Sequence, residues 1–177
     1  MSEVSIEPGG HHLGDPRSGR PGDQSARPGD QSARPGDPTV VYLFVHVIWS
    51  VSRREPLLTK PVRRVLFTHM QKEGEERGLK IVAAGGIEDH VHCLLQLMPA
   101  QNLSQVIKSI RVGSAAWLND NKLLAAAFEW EEGYAAYSVS PSGVRQVIDY
   151  ISKQEEYHRT KGLDSELEIF ERFKESL

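Results

Sequence analysis

The sequence predicts an α+β fold: a ferredoxin-like antiparallel sheet with packed helices, plus a C-terminal tyrosine-bearing helix. Three observations lead there. Hydrophobic periodicity switches between strand and helix in the order β-α-β-β-α-β from residue 40 to residue 140, the order of a split βαβ unit. Cap-type residues stand before the helical stretches, and a glycine closes the first of them. Beyond the sixth element, Ser140-Pro141 opens one more helix, which carries two separate side-chain stripes.

Residues 40–51 (VVYLFVHVIWSV) are β-rich and apolar at nearly every position, as expected of a strand buried on both faces. Thr59 is placed to cap a helix with Pro61 in its first turn. Val62, Val65, Leu66, His69 and Met70 recur at helical spacing, and Gly78 ends the pattern. Residues 80–87 read as a second strand, with Gly85-Gly86 as a bend or bulge. Glu88-Asp89 turns the chain into a third strand over residues 90–98. Asn102 or Ser104 opens a second helix that turns Leu103, Val106, Ile107, Ile110, Ser114 and Trp117 inward. Residues 128–140 are expected to form a bent strand or hairpin around Gly133. The helix after Pro141 is expected to run unbroken to about His158, followed by a short helix over residues 164–173.

The first 38 residues differ from the rest. They contain few large apolar side chains, and a seven-residue unit repeats as RPGDQSA, RPGDQSA and RPGDPTV from Arg20 onward. Each unit carries Pro-Gly, which breaks helix and strand alike. With nothing to bury, this stretch is expected to be a disordered tail, leaving 39–177 as the folded domain. The pair His11-His12 falls in the tail and is expected to be solvated.

Net charge is −3, of which the tail supplies −2 and the remainder −1. Bulk charge therefore does not announce a nucleic-acid binder, and any such role needs local basic patches. Cys93 is the only cysteine; it cannot form an intramolecular disulfide and fits a reducing cytoplasm, the expected location. No apolar run approaches the ~18 residues of a membrane span, and MSEVSIEPGG has neither the charged start nor the apolar core of a signal peptide. No membrane partner is expected.

Two clusters carry chemistry. On the third strand, His90 and His92 alternate with Val91, so both imidazoles point to one face while Val91, Cys93, Leu95 and Leu97 point to the other. Two imidazoles so placed can share a divalent cation, or can simply form a solvated face. Asp89 could orient a ligand or merely make the turn. On the last helix, Val144, Val147, Ile148 and Ile151 form an apolar stripe, and Tyr150, Gln154 and Tyr157 a second one displaced by roughly 110°. Tyr150 and Gln154, at i and i+4, point together, and the amide offers a carbonyl oxygen as a ligand. Each also has a bland reading, Tyr150 as a flanking aromatic and Gln154 as an exposed helix former.

The segments DHVHCLL at 89–95 and YISKQEEYHR at 150–159, with VHVIWSVSRREPLL at 45–58 and GYAAYSVSPS at 133–142, stand in one order and spacing. Together they resemble the single-tyrosine HUH transposases of the insertion-sequence-200-like family, which includes the REP-associated tyrosine transposases. The resemblance covers about residues 40–173 and leaves out the tail. It implies a DNA transposase, an enzyme that cleaves and rejoins single-stranded DNA through a covalent 5′-phosphotyrosine intermediate. Tyr150 is the implied nucleophile. His90, His92 and Gln154 are the implied ligands of a divalent metal, Mg²⁺ or Mn²⁺. Hairpin-bearing single-stranded DNA is the implied partner, and a homodimer with shared sites the implied assembly. One departure is Val51-Ser52, where relatives often carry Thr-Lys, so a basic contact there is either absent or moved to Arg53 or Arg54. Lys108, Arg111 and Lys153 are the other candidate DNA contacts, and Trp49, Trp117 and Trp130 candidate base-stacking residues.

Three other readings compete. A domesticated relative that processes palindromic hairpins would keep the same catalytic residues. A catalytically silent nucleic-acid-binding module would not need Tyr150, Gln154 and both histidines. A metallohydrolase would need further carboxylate or histidine ligands.

Overall fold

The computed structural model describes residues 40–160 and 162–171. The expected tail, with His11-His12 and the repeats, lies outside them, as does Phe173. Four strands form one antiparallel sheet: β1 (Leu43–Ser50), β2 (Lys80–Gly86), β3 (His90–Leu97) and β4 (Ala135–Val139), in the spatial order β2-β3-β1-β4. Helices α1 (Lys60–Glu76) and α2 (Leu103–Asp120) make the two crossovers. This is the ferredoxin-like α+β arrangement that the alternation of periods predicts.

The sheet has two differently covered faces. On one, Val45, Val47 and Trp49 of β1 and Val91, Cys93, Leu95 and Leu97 of β3 join Leu66, Met70, Val106, Ile107 and Ile110 of the helices in a single core. On the other lie His46, Ile48, His90, His92 and Leu94, also buried. That second face is covered by α3 (Val144–Ser152), which packs on β2 and β3. The continuous apolarity of β1 follows, since both of its faces meet a helical layer.

Several boundaries depart from the sequence expectation. β1 starts at Leu43, because its partner β3 ends at Leu97 opposite it; Val40 and Tyr42 are left exposed. Only residues 135–139 of the expected hairpin form a strand. Before them, the Asn119 side chain accepts from the Phe128 N–H and donates to the Phe128 carbonyl, and Trp130 makes one isolated bridge to Val51. Thr59 begins α1 without a hydroxyl cap, whereas the Asn102 side chain accepts from the Gln105 N–H as expected. Val65 is 45% exposed, and Arg63 occupies the buried position instead.

The bulge in β2 is not at the glycines. Ile81 pairs with Leu95 and Ala83 with Leu94, so Val82 is the extra residue. Gly85 then faces His92, and a Cβ there would lie 2.3 Å from the Ile151 carbonyl oxygen. The absence of a side chain at Gly85 is what allows α3 to approach. Gly86 has φ +150°, which a side chain would strain.

The last helix is not continuous. It opens with a 3₁₀ turn (Pro141–Gly143), and α3 ends at Ser152; Lys153 leaves helical geometry at φ −104°, ψ 17°. A one-turn α4 (Gln154–Tyr157) restarts, and α5 (Leu163–Glu171) follows. The break draws the Gln154 side chain inward to 1% exposure.

Candidate active site and metal-ligand cluster

β3 contributes His90 and His92, both fully buried, on the face beneath α3. Each ring is held from behind through Nδ1. Asp89 Oδ1 is 2.7 Å from His90 Nδ1, and His46 Nε2 of β1 is 2.9 Å from His92 Nδ1. Both Nε2 atoms are thereby turned toward the same space. Asp89 thus takes the orienting role open to it in the sequence, and His46 is an orienting residue that the sequence reading did not single out. The isolated polar residue in an otherwise apolar strand was the available signal.

Tyr150 and Gln154 come to this space from α3 and α4. The Tyr150 ring lies 5.9 Å from that of His92, edge-on, and 6.1 Å from that of His46. The Tyr150 hydroxyl donates to Glu166 Oε1 of α5, and Gln154 Nε2 donates to the same oxygen at 3.3 Å. His158, just after α4, completes the group: its Nε2 is 3.1 Å from His90 Nε2 and 3.0 Å from Glu166 Oε2. The four expected site residues, His90, His92, Tyr150 and Gln154, are therefore brought together, with His158 and Glu166 added. His158 stands four residues after Gln154, a spacing at which helical side chains share a face.

Burial dominates the electrostatics. It pushes the His46 imidazole down to about 4. Burial, with the charges of His90, His46 and His158 added, holds His92 well below the usual imidazole range. It pushes the Glu166 carboxyl up to about 7. For Asp89 burial pushes upward, but the His90 hydrogen bond and the charges of His90 and His158 outweigh it and leave the carboxyl below its ordinary value.

The donor set fits a divalent transition-metal ion. Ligand atoms of His90, His92, His158 and Glu166 all lie within 4.8 Å of one another. His92 Nε2, Gln154 Oε1 and Glu166 Oε2 are buried without a hydrogen-bond partner, which buried polar atoms rarely tolerate. Imidazole with carboxylate and amide oxygen favours Mn²⁺ over Mg²⁺.

The five candidate DNA contacts do not form one patch. Lys153 lines a cleft of about 510 Å³ between α1 and the tyrosine helix, with Lys60, Arg64 and Arg159. Lys108 and Arg111 line a second cleft of about 720 Å³ along α2, where Trp130 and Tyr134 also stand. Arg53 lies 3.6 Å from Glu55, and Arg54 pairs with Asp164 of α5 at 2.7 Å. Trp49 is a core residue, and Trp117 stacks on His69 with ring centres 4.2 Å apart. Among the described residues no helix is long and apolar enough to cross a membrane.

The family model described as "Transposase IS200 like" matches residues 39–154. The ISDra2 transposase TnpA of Deinococcus radiodurans is 28% identical over 120 residues, which span 65% of this chain and 86% of that protein. A 1.90 Å crystal structure of a protein from Deinococcus radiodurans R1, described as a transposase, is similar with a TM-score of 0.53 at 24% identity, over 69% of this chain and 98% of that one. A REP-associated tyrosine transposase, bound to a REP hairpin, is similar with a TM-score of 0.50 at 18% identity, over 69% of this chain and 73% of that one. The two structures bear on the fold, which they share.

Proposed function

The chain belongs to the IS200-like transposase family, and from that premise we propose that it cleaves and rejoins single-stranded DNA with Tyr150 as nucleophile and His90, His92 and Gln154 as metal ligands. The observation that carries this reading is the convergence of the Tyr150 hydroxyl, the Gln154 amide and both histidine Nε2 atoms around one buried carboxylate position. A divalent ion held there withdraws charge from the oxygens of a scissile phosphate.

The residues of the chain do the rest. Tyrosine ionises near pH 10, so roughly one in a thousand is phenolate at pH 7. Tyr150 has to attack from a fixed position, and its ring is held edge-on to His92, His46 and Tyr157. Attack forms a bond from the tyrosine oxygen to phosphorus and breaks the bond to the 3′ oxygen. The tyrosine proton is lost and the departing 3′ oxygen gains one. The 5′ end stays on Tyr150 as a phosphodiester, so a second 3′-hydroxyl can reverse the step and join new ends without ATP. His90 and His92 keep their orientation through Asp89 and His46.

A hairpin-bearing strand is the proposed substrate class. The similarity to the REP-hairpin-bound transposase supports it, and the cleft beside Lys153 is the proposed path of the strand. Processing of scattered palindromes without self-mobility would use the same residues. The test is incubation with single-stranded hairpin DNA and Mn²⁺, followed by denaturing electrophoresis. A covalent protein–DNA adduct that requires Tyr150 is expected. Cleavage without an adduct would sink the nucleophile assignment.

A further inference from the structure

We propose that Glu166 is itself a metal ligand: α5 delivers a carboxylate to the ion held by His90 and His92, with His158 as an added imidazole, so that ion binding and the seating of α5 are one event. This rests on the two-histidine reading above and extends it beyond residues 39–154, the segment that the family model matches.

Glu166 is fully buried, yet among the described residues its ion-pair partners are all histidines. Its Oε2 is 3.0 Å from His158 Nε2 and 3.8 Å from His90 Nε2, and its Oε1 is 3.5 Å from His92 Nε2. Separations of that order are what ligands of a common ion show, since each stands roughly 2.0–2.2 Å from the centre. Oε2 is buried and makes no well-aligned hydrogen bond, although it lies within ion-pair distance of His158. A carboxylate is costly to bury without a cation beside it, and a divalent ion between Glu166 and the histidines would supply one.

The helix is built to present this side chain. Leu163 and Glu166, at i and i+3, share one face, and Leu163 is 6% exposed. Asp164, on the outer side, pairs with Arg54 at 2.7 Å. Oε1 meanwhile accepts from Tyr150 and Gln154. One carboxylate therefore joins the metal-ligand cluster to the tyrosine hydroxyl.

Calorimetric titration with Mn²⁺ alone tests this on the full chain, its Glu166→Gln variant and its His90→Ala variant. Glu166→Gln keeps the shape and an acceptor oxygen for Tyr150 but removes the anionic ligand. Its affinity for Mn²⁺ is expected to fall at least tenfold, the scale on which metal sites respond to lost support. In the unmodified protein, Mn²⁺ is expected to slow hydrogen exchange in the amides of 163–171, and not in Glu166→Gln. Unchanged affinity in Glu166→Gln with loss in His90→Ala overturns the Glu166 assignment and leaves the two-histidine site standing. Unchanged affinity in His90→Ala overturns both. The exchange measurement on the unmodified chain decides the matter even if Glu166→Gln does not fold; no slowing over α5 refutes the proposal.

Discussion

His46 Nε2 meets His92 Nδ1 at 2.9 Å, and the two rings stack with centres 5.1 Å apart across the paired central strands. This contact fixes the rotation of the His92 ring and commits its Nδ1, leaving Nε2 as the atom that faces the site. Replacing His46 by Phe preserves the ring and loses the nitrogen. Mn²⁺ affinity is expected to drop about tenfold, with the circular dichroism spectrum unchanged. Partial recovery in His46→Gln, which restores a polar partner, would separate positioning from packing. Equal affinity in His46→Phe and the parent would refute the role.

Tyr150→Phe removes one hydroxyl and its hydrogen bond to Glu166. Stability is expected to fall by about 1.5–3 kcal/mol, as for loss of a hydrogen bond to a carboxylate. Covalent adduct formation on hairpin DNA should vanish while DNA binding by gel shift persists. His92→Ala should abolish cleavage, and Gln154→Ala should weaken it less, because a neutral amide is the poorer ligand.

Gly85→Ala places a methyl group 2.3 Å from the Ile151 carbonyl oxygen. The clash is with backbone, so α3 must move as a unit. A loss of about 1–3 kcal/mol is expected, read as a melting temperature lower by several degrees. Adduct formation should fall further than stability does, since Tyr150 and Ile151 are neighbours on the displaced helix. A variant with parental melting and parental activity would show that the close approach is unimportant.

Mixing Tyr150→Phe chains with His90→Ala/His92→Ala chains tests where a site is assembled. In this chain Tyr150 is seated against its own histidines, and exchange with a partner would break the Gly85–Ile151 contact. A site complete within one chain gives no recovery of cleavage on mixing. Recovery would instead support the shared-site homodimer that the family resemblance implies.

Removing residues 1–38 is expected to leave melting temperature and cleavage within error of the parent, because their composition offers little apolar surface to bury. A fall of several degrees in differential scanning calorimetry would count against treating them as separate from the folded domain.

The order of elements and the shared face of His90 and His92 were legible in the sequence because both follow from local period. The core residues of β3 followed for the same reason, as did Val106, Ile107, Ile110 and Ser114 of α2, whereas the buried Leu118 was not among those expected. The break at Lys153 was not legible: residues 144–158 contain neither glycine nor proline, and the interruption belongs to the burial of Gln154. His158 and Glu166 were missed because they reach the site from separate short elements past the tyrosine helix. Helical spacing pointed to Tyr157 as readily as to His158 until the chain turned. The five basic candidates were chosen by charge and by position on or beside their elements, and neither says which cleft a side chain will line.

The extra residue in β2 sets the strand's parity. Before Val82, the residues facing α1 and α2 fall on one count of two; after it they fall on the other. Without that offset Ala84 would stand opposite His92 and Gly85 would turn to the opposite face. The two halves of β2 are thereby decoupled, so one can be altered to suit the helices of the core while the other keeps its address beneath the tyrosine. Deleting Val82 would leave Ile81 opposite Leu95 and Ala83 opposite Leu94, so the residues beyond it would keep their faces, whereas deleting a paired residue such as Ala83 with the bulge retained would exchange them.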